Sequence, residues 1–288
     1  MPNAASVMRD VIMADAAAGQ RGQVVLRFVR WQAWQRLARR PMTVTAFGNA
    51  KLRLHPHRTS SALAYYHGMP DPWEMAFVRD VLRPGDTFLD VGANVGVYSV
   101  LAGSIVAPDG LVVCLEPAAD TAEILRENLQ LNNIPARLIA AAAGAEPGTA
   151  AMTSGHDATN RITSAEASGQ ELAEIDVVTL DEVCESLQPV VAKVDVEGFE
   201  LEAMRGSRRL LADRRPAAWL IEVNELSDRT DLVDLLDEAT EPFIYEPHER
   251  ALVPLSWSDA VGRRDIKNVL AVADRAFIAS RLTPESSR

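Results

Sequence analysis

The sequence predicts a doubly wound α/β fold, a mostly parallel sheet with helices on both faces. Three observations predict it. Apolar runs of strand length, at residues 87–91, 111–115, 189–196 and 217–223, are separated by segments with helical signals. The last two are apolar almost throughout, as in strands buried on both faces. The first leads into Asp90-Val91-Gly92-Ala93-Asn94-Val95-Gly96, where an acidic residue and a glycine turn open a helix.

The elements follow in order. Residues 1–60 carry ten Lys or Arg against Asp10 and Asp15, a balance of +8 that leaves −19 for the rest and −11 overall. Within this basic arm, residues 24–37 set Val24, Phe28 and Trp31 at helical spacing, although Arg27 and Arg30 interrupt the apolar face. The arm is read as docking onto the protein's own acidic body, with a membrane surface or a partner chain as the other occupants. Residues 43–54 alternate as a hairpin, and 72–82 form a helix closed by Arg83-Pro84-Gly85-Asp86. This places an N-terminal arm and hairpin at 1–70 and the main domain at 71–288.

After Gly96 a helix carries Tyr98, Val100 and Leu101, and Pro108-Asp109-Gly110 turns into the second strand. Asp120 with Glu123 reads as a capping box for a helix through Leu131. A third strand spans 136–142. The insertion at 144–175, rich in Gly, Ala, Ser and Thr up to Gly169, is read as an irregular, lid-like connection facing the substrate. A short helix at 181–187 and a longer one at 200–211 flank the fourth strand, and edge strands are expected at 243–245, 251–255 and 269–273. Cys114 and Cys184 have neither disulfide nor metal spacing and read as buried thiols. No apolar run approaches the ~20 residues of a membrane span, and no cleavable signal is visible, so a cytoplasmic protein is expected.

The glycine turn separates two ligand classes. Gly92 and Gly96 allow close backbone approach, and Glu116, twenty residues after Gly96, can accept both hydroxyls of a ribose. The third glycine of dinucleotide sites is missing. Asp90 would repel a pyrophosphate but suits a cationic ligand bearing an α-amino group, and S-adenosylmethionine is such a ligand. Candidate cofactor-binding residues are Asp90, Gly92, Ala93, Asn94, Gly96, Tyr98, Ser99, Glu116, Pro117 and Ala142.

Ligands of open parallel sheets bind beyond the carboxyl ends of the strands. Lys193, Asp195 and Glu197 share one face at the end of the fourth strand, and Glu222 and Asn224 share one at the end of the fifth. These converging carboxylates need cations or donors to neutralise them. Asp195 is the candidate for work at an acceptor hydroxyl, as base or metal ligand, with Glu197 and Lys193 beside it. Glu222, Asn224, His156 and Asn160 are candidate substrate contacts, and Asp195 with Glu222 is a candidate magnesium site.

The segments from Asp90 to Gly96, Glu116-Pro117, Asn128 and Asn132, Thr179-Leu180-Asp181, Lys193-Val194-Asp195-Val196-Glu197-Gly198-Phe199-Glu200, Gly206 and Glu222 together resemble the FkbM family of S-adenosylmethionine-dependent methyltransferases. The resemblance covers about residues 70–225. It implies a seven-stranded Rossmann-like methyltransferase sheet and O-methylation of a hydroxyl on a sugar, glycan or polyketide-type natural product.

Competing readings are set by what the sequence lacks. The Asn- or Asp-Pro-Pro-aromatic run of N-methyltransferases is absent, and so is the Pro-Cys pair of cytosine C5 chemistry. A nicotinamide oxidoreductase is disfavoured by the glycine spacing, and a non-catalytic binding protein by the intact acid cluster. The acidic main domain argues against nucleic acid as a partner. A small-molecule or glycan acceptor is expected, and a homo-oligomer is left open.

Overall fold

The computed structural model describes residues 21–38, 40–56, 58–153, 162–163, 172–223, 229–262 and 266–283. The described chain begins with α1 (Arg21–Leu37), a hairpin of β1 (Met42–Ala46) and β2 (Ala50–Leu54), α2 (Thr59–His67) and α3 (Pro72–Val81). The main sheet then alternates with helices: β3 (Thr87–Val91), α4 (Val97–Val106), β4 (Leu111–Leu115), α5 (Ala119–Leu131) and β5 (Ala136–Ile139). Next come β6 (Ala142–Ala143), β7 (Gly148–Thr153), β8 (Ile162–Thr163), β9 (Leu172–Val178) and α6 (Leu180–Val183). The fourth and fifth parallel strands are β10 (Pro189–Val194) and β11 (Ala218–Glu222), joined through α7 (Glu200–Arg205) and α8 (Arg208–Ala212). The tail holds α9 (Arg229–Asp237), β12 (Glu241–Glu246), β13 (Ala251–Pro254), α10 (Trp257–Gly262), β14 (Asn268–Val272) and α11 (Arg275–Leu282).

The large sheet runs β13-β12-β14-β11-β10-β3-β4-β5. It has eight strands rather than seven, because residues 251–254 add an outer strand beyond β12. The strands from β11 to β5 are parallel, whereas β14 enters antiparallel between β11 and β12. From β3 the chain winds outward through β4 and β5 and then returns to β10 on the other side. The strand order therefore reverses between β3 and β10, and a crevice opens beyond their carboxyl ends.

Strand alternation divides the core. Phe88, Val112, Val191 and Leu220 face one layer, with α3, α4, α5 and α11. Leu89, Val113, Ala192, Trp219 and Ile221 face the other, with α6 to α9. Each large side chain so buried contributes roughly 1.5–3 kcal/mol of apolar burial. Val24, Phe28 and Trp31 of the arm are buried in the first layer, where Trp31 stacks near Tyr65 with ring centroids 5.4 Å apart.

Several elements differ from the sequence expectations. The 144–175 insertion is not irregular where described: β7, β8 and β9 pair antiparallel and β6 adds in parallel, forming a separate four-stranded sheet. Its strand signal lies in Glu174-Ile175-Asp176-Val177, which alternates polar and apolar. The third strand ends at Ile139, since Ala142 and Ala143 turn away to pair with β9. Helix 200–211 is split at Gly206, and the fourth strand stops at Val194. The box expected at Asp120 and Glu123 is absent, because the residue capping α5 is Ala118. Thr179 and Glu182 form a reciprocal capping box at α6 instead.

The split at Gly206 locks the small sheet to the main body. A Cβ there would collide with the Gly144 carbonyl oxygen, so only glycine allows that backbone contact. Gly148, by contrast, faces open space. Gly206→Ala is expected to destabilise the fold by about 1–3 kcal/mol, as overpacking does, and Gly148→Ala by about 0.5 or less, measured by denaturant unfolding.

Candidate active site

The crevice holds a cavity of about 290 Å³ at the ends of β3, β4 and β10. On its β3 side, Gly92 at φ 78° and Asn94 at φ 50° form the turn before α4. A Cβ on Gly92 would occupy the position of the Asp195 carbonyl oxygen, so the turns after β3 and β10 touch backbone to backbone. Glu116 follows β4 and is 8% exposed. Its two carboxylate oxygens accept from the Asn94 and Ala118 amides, each at 2.9 Å. Burial outweighs these bonds and pushes its pKa up to about 7.

Asp90 is 1% exposed and lies beside Lys193 in the strand register. One carboxylate oxygen accepts from the Ser99 hydroxyl at 2.6 Å, and the other is buried with no partner among the described residues. Burial raises its pKa, and the Lys193 charge opposes that rise. Lys193 is 7% exposed, donates to Asp195 at 2.7 Å and lies over the Tyr98 ring at 4.9 Å. Burial alone would discharge it; the Asp195 and Asp90 carboxylates reverse this and hold it firmly cationic.

Asp195 lies just past β10 and is hydrogen-bonded to Glu222 as well as to Lys193. Burial pushes its pKa up, but the Lys193 ion pair wins and keeps it ionised. Glu222 moves the other way. Burial and the adjacent Asp195 charge push it up to about 8, so the two carboxyls share one proton near neutrality.

The cavity lining includes Asp90, Gly92, Ala93, Asn94, Tyr98, Glu116, Pro117 and Ala142, with Lys193, Asp195 and Glu197. Two candidate cofactor residues do not line it. Gly96 makes the turn into α4, where its missing Cβ leaves room for the Leu125 side chain, and Ser99 holds Asp90. Glu222 is also off the lining and reaches the site through Asp195. His156, Asn160 and Asn224 lie outside the described residues.

Other motif residues hold the frame. Glu200, fully buried, accepts from the Val196 and Gly198 amides and fixes the turn bearing Glu197. Asn128 bonds the Arg53 amide and the Val95 carbonyl, and Asn132 bonds both backbone groups of Lys51, so α5 grips the hairpin with two side chains one turn apart. Asp181 accepts from the Arg209 and Leu210 amides at the start of α8.

Sequence reasoning missed Leu63, Pro70 and Asp71, which line the cavity from the arm side, and Met152 and Ile162 from the small sheet. Asp71 accepts from the Tyr98 hydroxyl at 3.0 Å. Its signal was Asp-Pro at a helix start. Tyr65 and Tyr66 pack on Trp31, and Trp73 and Glu74 line a different cavity.

Residues 90–242, more than half of the chain, match the model of the methyltransferase FkbM domain. The chain belongs to the FkbM methyltransferase family. It is 30% identical over 163 residues to a hexuronic acid methyltransferase of Haloferax volcanii, a match covering 54% of this chain and 62% of that protein. Among solved structures, a SAM-dependent methyltransferase of Agrobacterium tumefaciens has a TM-score of 0.44 at 9% identity, covering 82% of this chain and 71% of that one. A SAM-dependent O-methyltransferase of Thermotoga maritima has a TM-score of 0.40 at 12% identity, covering 69% and 63%. Likeness at that level carries no weight for chemistry.

At the expected magnesium site of this FkbM protein, Asp195 is ion-paired with the Lys193 ammonium and shares a proton with Glu222. Among the described residues no group of three or more His, Cys, Asp or Glu could hold a metal ion, and no helix is long and apolar enough to cross a membrane.

The pKa shifts have a consequence for stability. Glu116 and Glu222 titrate near 7 and 8 in the folded chain against an ordinary 4.5, so each contributes stability that is complete at low pH and lost as pH rises through the folded value. The ligand-free protein is therefore expected to melt at a higher temperature at pH 6 than at pH 8.5, and Glu222→Gln to flatten that decline in thermal scans.

Proposed function

We propose that this methyltransferase uses S-adenosylmethionine to O-methylate a hydroxyl of a sugar, glycan or polyketide-type small molecule. One observation carries the reading: a single cavity runs from the buried Glu116 carboxylate to the Lys193–Asp195 ion pair. Glu116 would take the ribose hydroxyls, since each of its oxygens uses only one lone pair on the backbone. The unpartnered oxygen of Asp90 suits the cofactor's α-ammonium. When bound, the cofactor supplies an electrophilic methyl group on a sulfonium.

The chain's own part concerns the acceptor proton. An alcohol is a weak acid, but its oxygen becomes strongly acidic as the bond to carbon forms, so a modest base at that oxygen suffices. Asp195 is placed for this role, because Lys193 keeps it ionised and fixes one of its oxygens. Glu222, protonated near neutrality, donates to it without adding a second charge. The hexuronic acid relative supports a sugar-type acceptor.

Asp195→Asn is expected to lower turnover on methyl glycosides by about 10²–10⁴-fold, read as S-adenosylhomocysteine release, with cofactor binding by calorimetry unchanged. Retained turnover on those glycosides would overturn Asp195 as the base. Glu116→Ala is expected to weaken S-adenosylhomocysteine binding at least tenfold, about 1.4 kcal/mol. No binding by the unmodified protein would favour a non-catalytic role.

A further inference from the structure

The polar face that holds Lys193 and Asp195 continues across the sheet. Glu222 at the end of β11 pairs in register with Asn268 at the start of β14, so their side chains share one face. The Asn268 amide nitrogen donates to Glu74 of α3 at 3.2 Å, and Glu74 neighbours Asp71 at the mouth of the cofactor cavity. Beside Glu74, Trp73 is 49% exposed, the most exposed aromatic side chain among the large hydrophobics of the described residues. Trp73, Glu74 and Asn268 rim a second cavity of about 40 Å³ floored by Phe77, Leu220 and Phe243.

We propose that Trp73, Glu74 and Asn268 form a subsite for an uncharged sugar ring of the acceptor, adjoining the hydroxyl served by Asp195. This rests on the O-methylation reading above. A notch of about 40 Å³ admits one small substituent and not a ring, so the ring lies over Trp73 with a single group inserted. The negative face of an indole attracts the weakly positive C–H face of a pyranose, while a carboxylate acceptor and an amide beside it satisfy the ring hydroxyls. Charge selects the class. Asp71, Glu74 and Asp195, with Glu222 protonated beside them, stand against Lys193, whose ammonium is already bound to Asp195, and Lys267, which acts on Asp71 from an exposed position. A ring carboxylate would meet mostly negative groups here, so a neutral hexoside is preferred to a hexuronide.

The test is saturation-transfer NMR on the full chain with S-adenosylhomocysteine. Methyl glycosides of glucose, galactose and mannose are compared with the matching methyl hexuronides. At least one neutral glycoside is expected to bind, with its uronide at least fivefold weaker. Trp73→Ala and Glu74→Gln should each reduce binding at least fivefold while cofactor binding by calorimetry stays intact, which also shows that the variants fold. Equal or better uronide binding, undiminished binding by both variants, or no neutral glycoside bound while S-adenosylhomocysteine binds would each overturn the subsite. Failure of the unmodified protein to bind S-adenosylhomocysteine would instead overturn the parent reading.

Discussion

The site depends on one buried charge arrangement: the Lys193 ammonium held between Asp90 and Asp195 at the carboxyl ends of β3 and β10. An isolated lysine at that depth would lose its proton, and isolated carboxylates would gain one. Together they keep Lys193 and Asp195 ionised. The backbone makes this possible, since parallel register sets Asp90 opposite Lys193 and period two puts Asp195 on the same face. The strain of packing several acids together is relieved at Glu222, which stays protonated.

The reversal of strand order between β3 and β10 gives this arrangement its opening. Asp90 and Glu116 come from strands wound in one direction and Lys193 and Asp195 from the strand on the other side, and the two turns touch through Gly92. The arm and the small sheet supply the walls, Leu63 and Pro70 from one and Met152 and Ile162 from the other. Two asparagines of α5 bind the hairpin to the body through its backbone, so the arm-side wall is seated by hydrogen bonds as well as by the burial of Trp31.

Much of this was legible in the residues. Apolar runs and the glycine turn marked β3, β4, β10 and β11, because strands buried on both faces have few alternatives. Asp90, Glu116 and Asp195 stood out as acids where acids are costly. The outer strand at Ala251-Leu252-Val253-Pro254 was legible as an edge strand, although the family resemblance implied one strand fewer. The small sheet was masked by glycine and serine around it. The convergence of Asp195 and Glu222 was legible from their strand ends, but the proton they share was not, because it depends on how deeply the fold buries them. The asparagines of α5 read as motif members, yet their bonds to the hairpin required the fold.

The backbone contact at Gly92 also separates what can be redesigned from what cannot. Because one turn's carbonyl fills the space where the other's side chain would be, the turns after β3 and β10 keep a fixed spacing, indifferent to the periphery. Grafting a foreign arm or a different small sheet onto this body would change the walls of the cavity while leaving the spacing of those two turns unaltered.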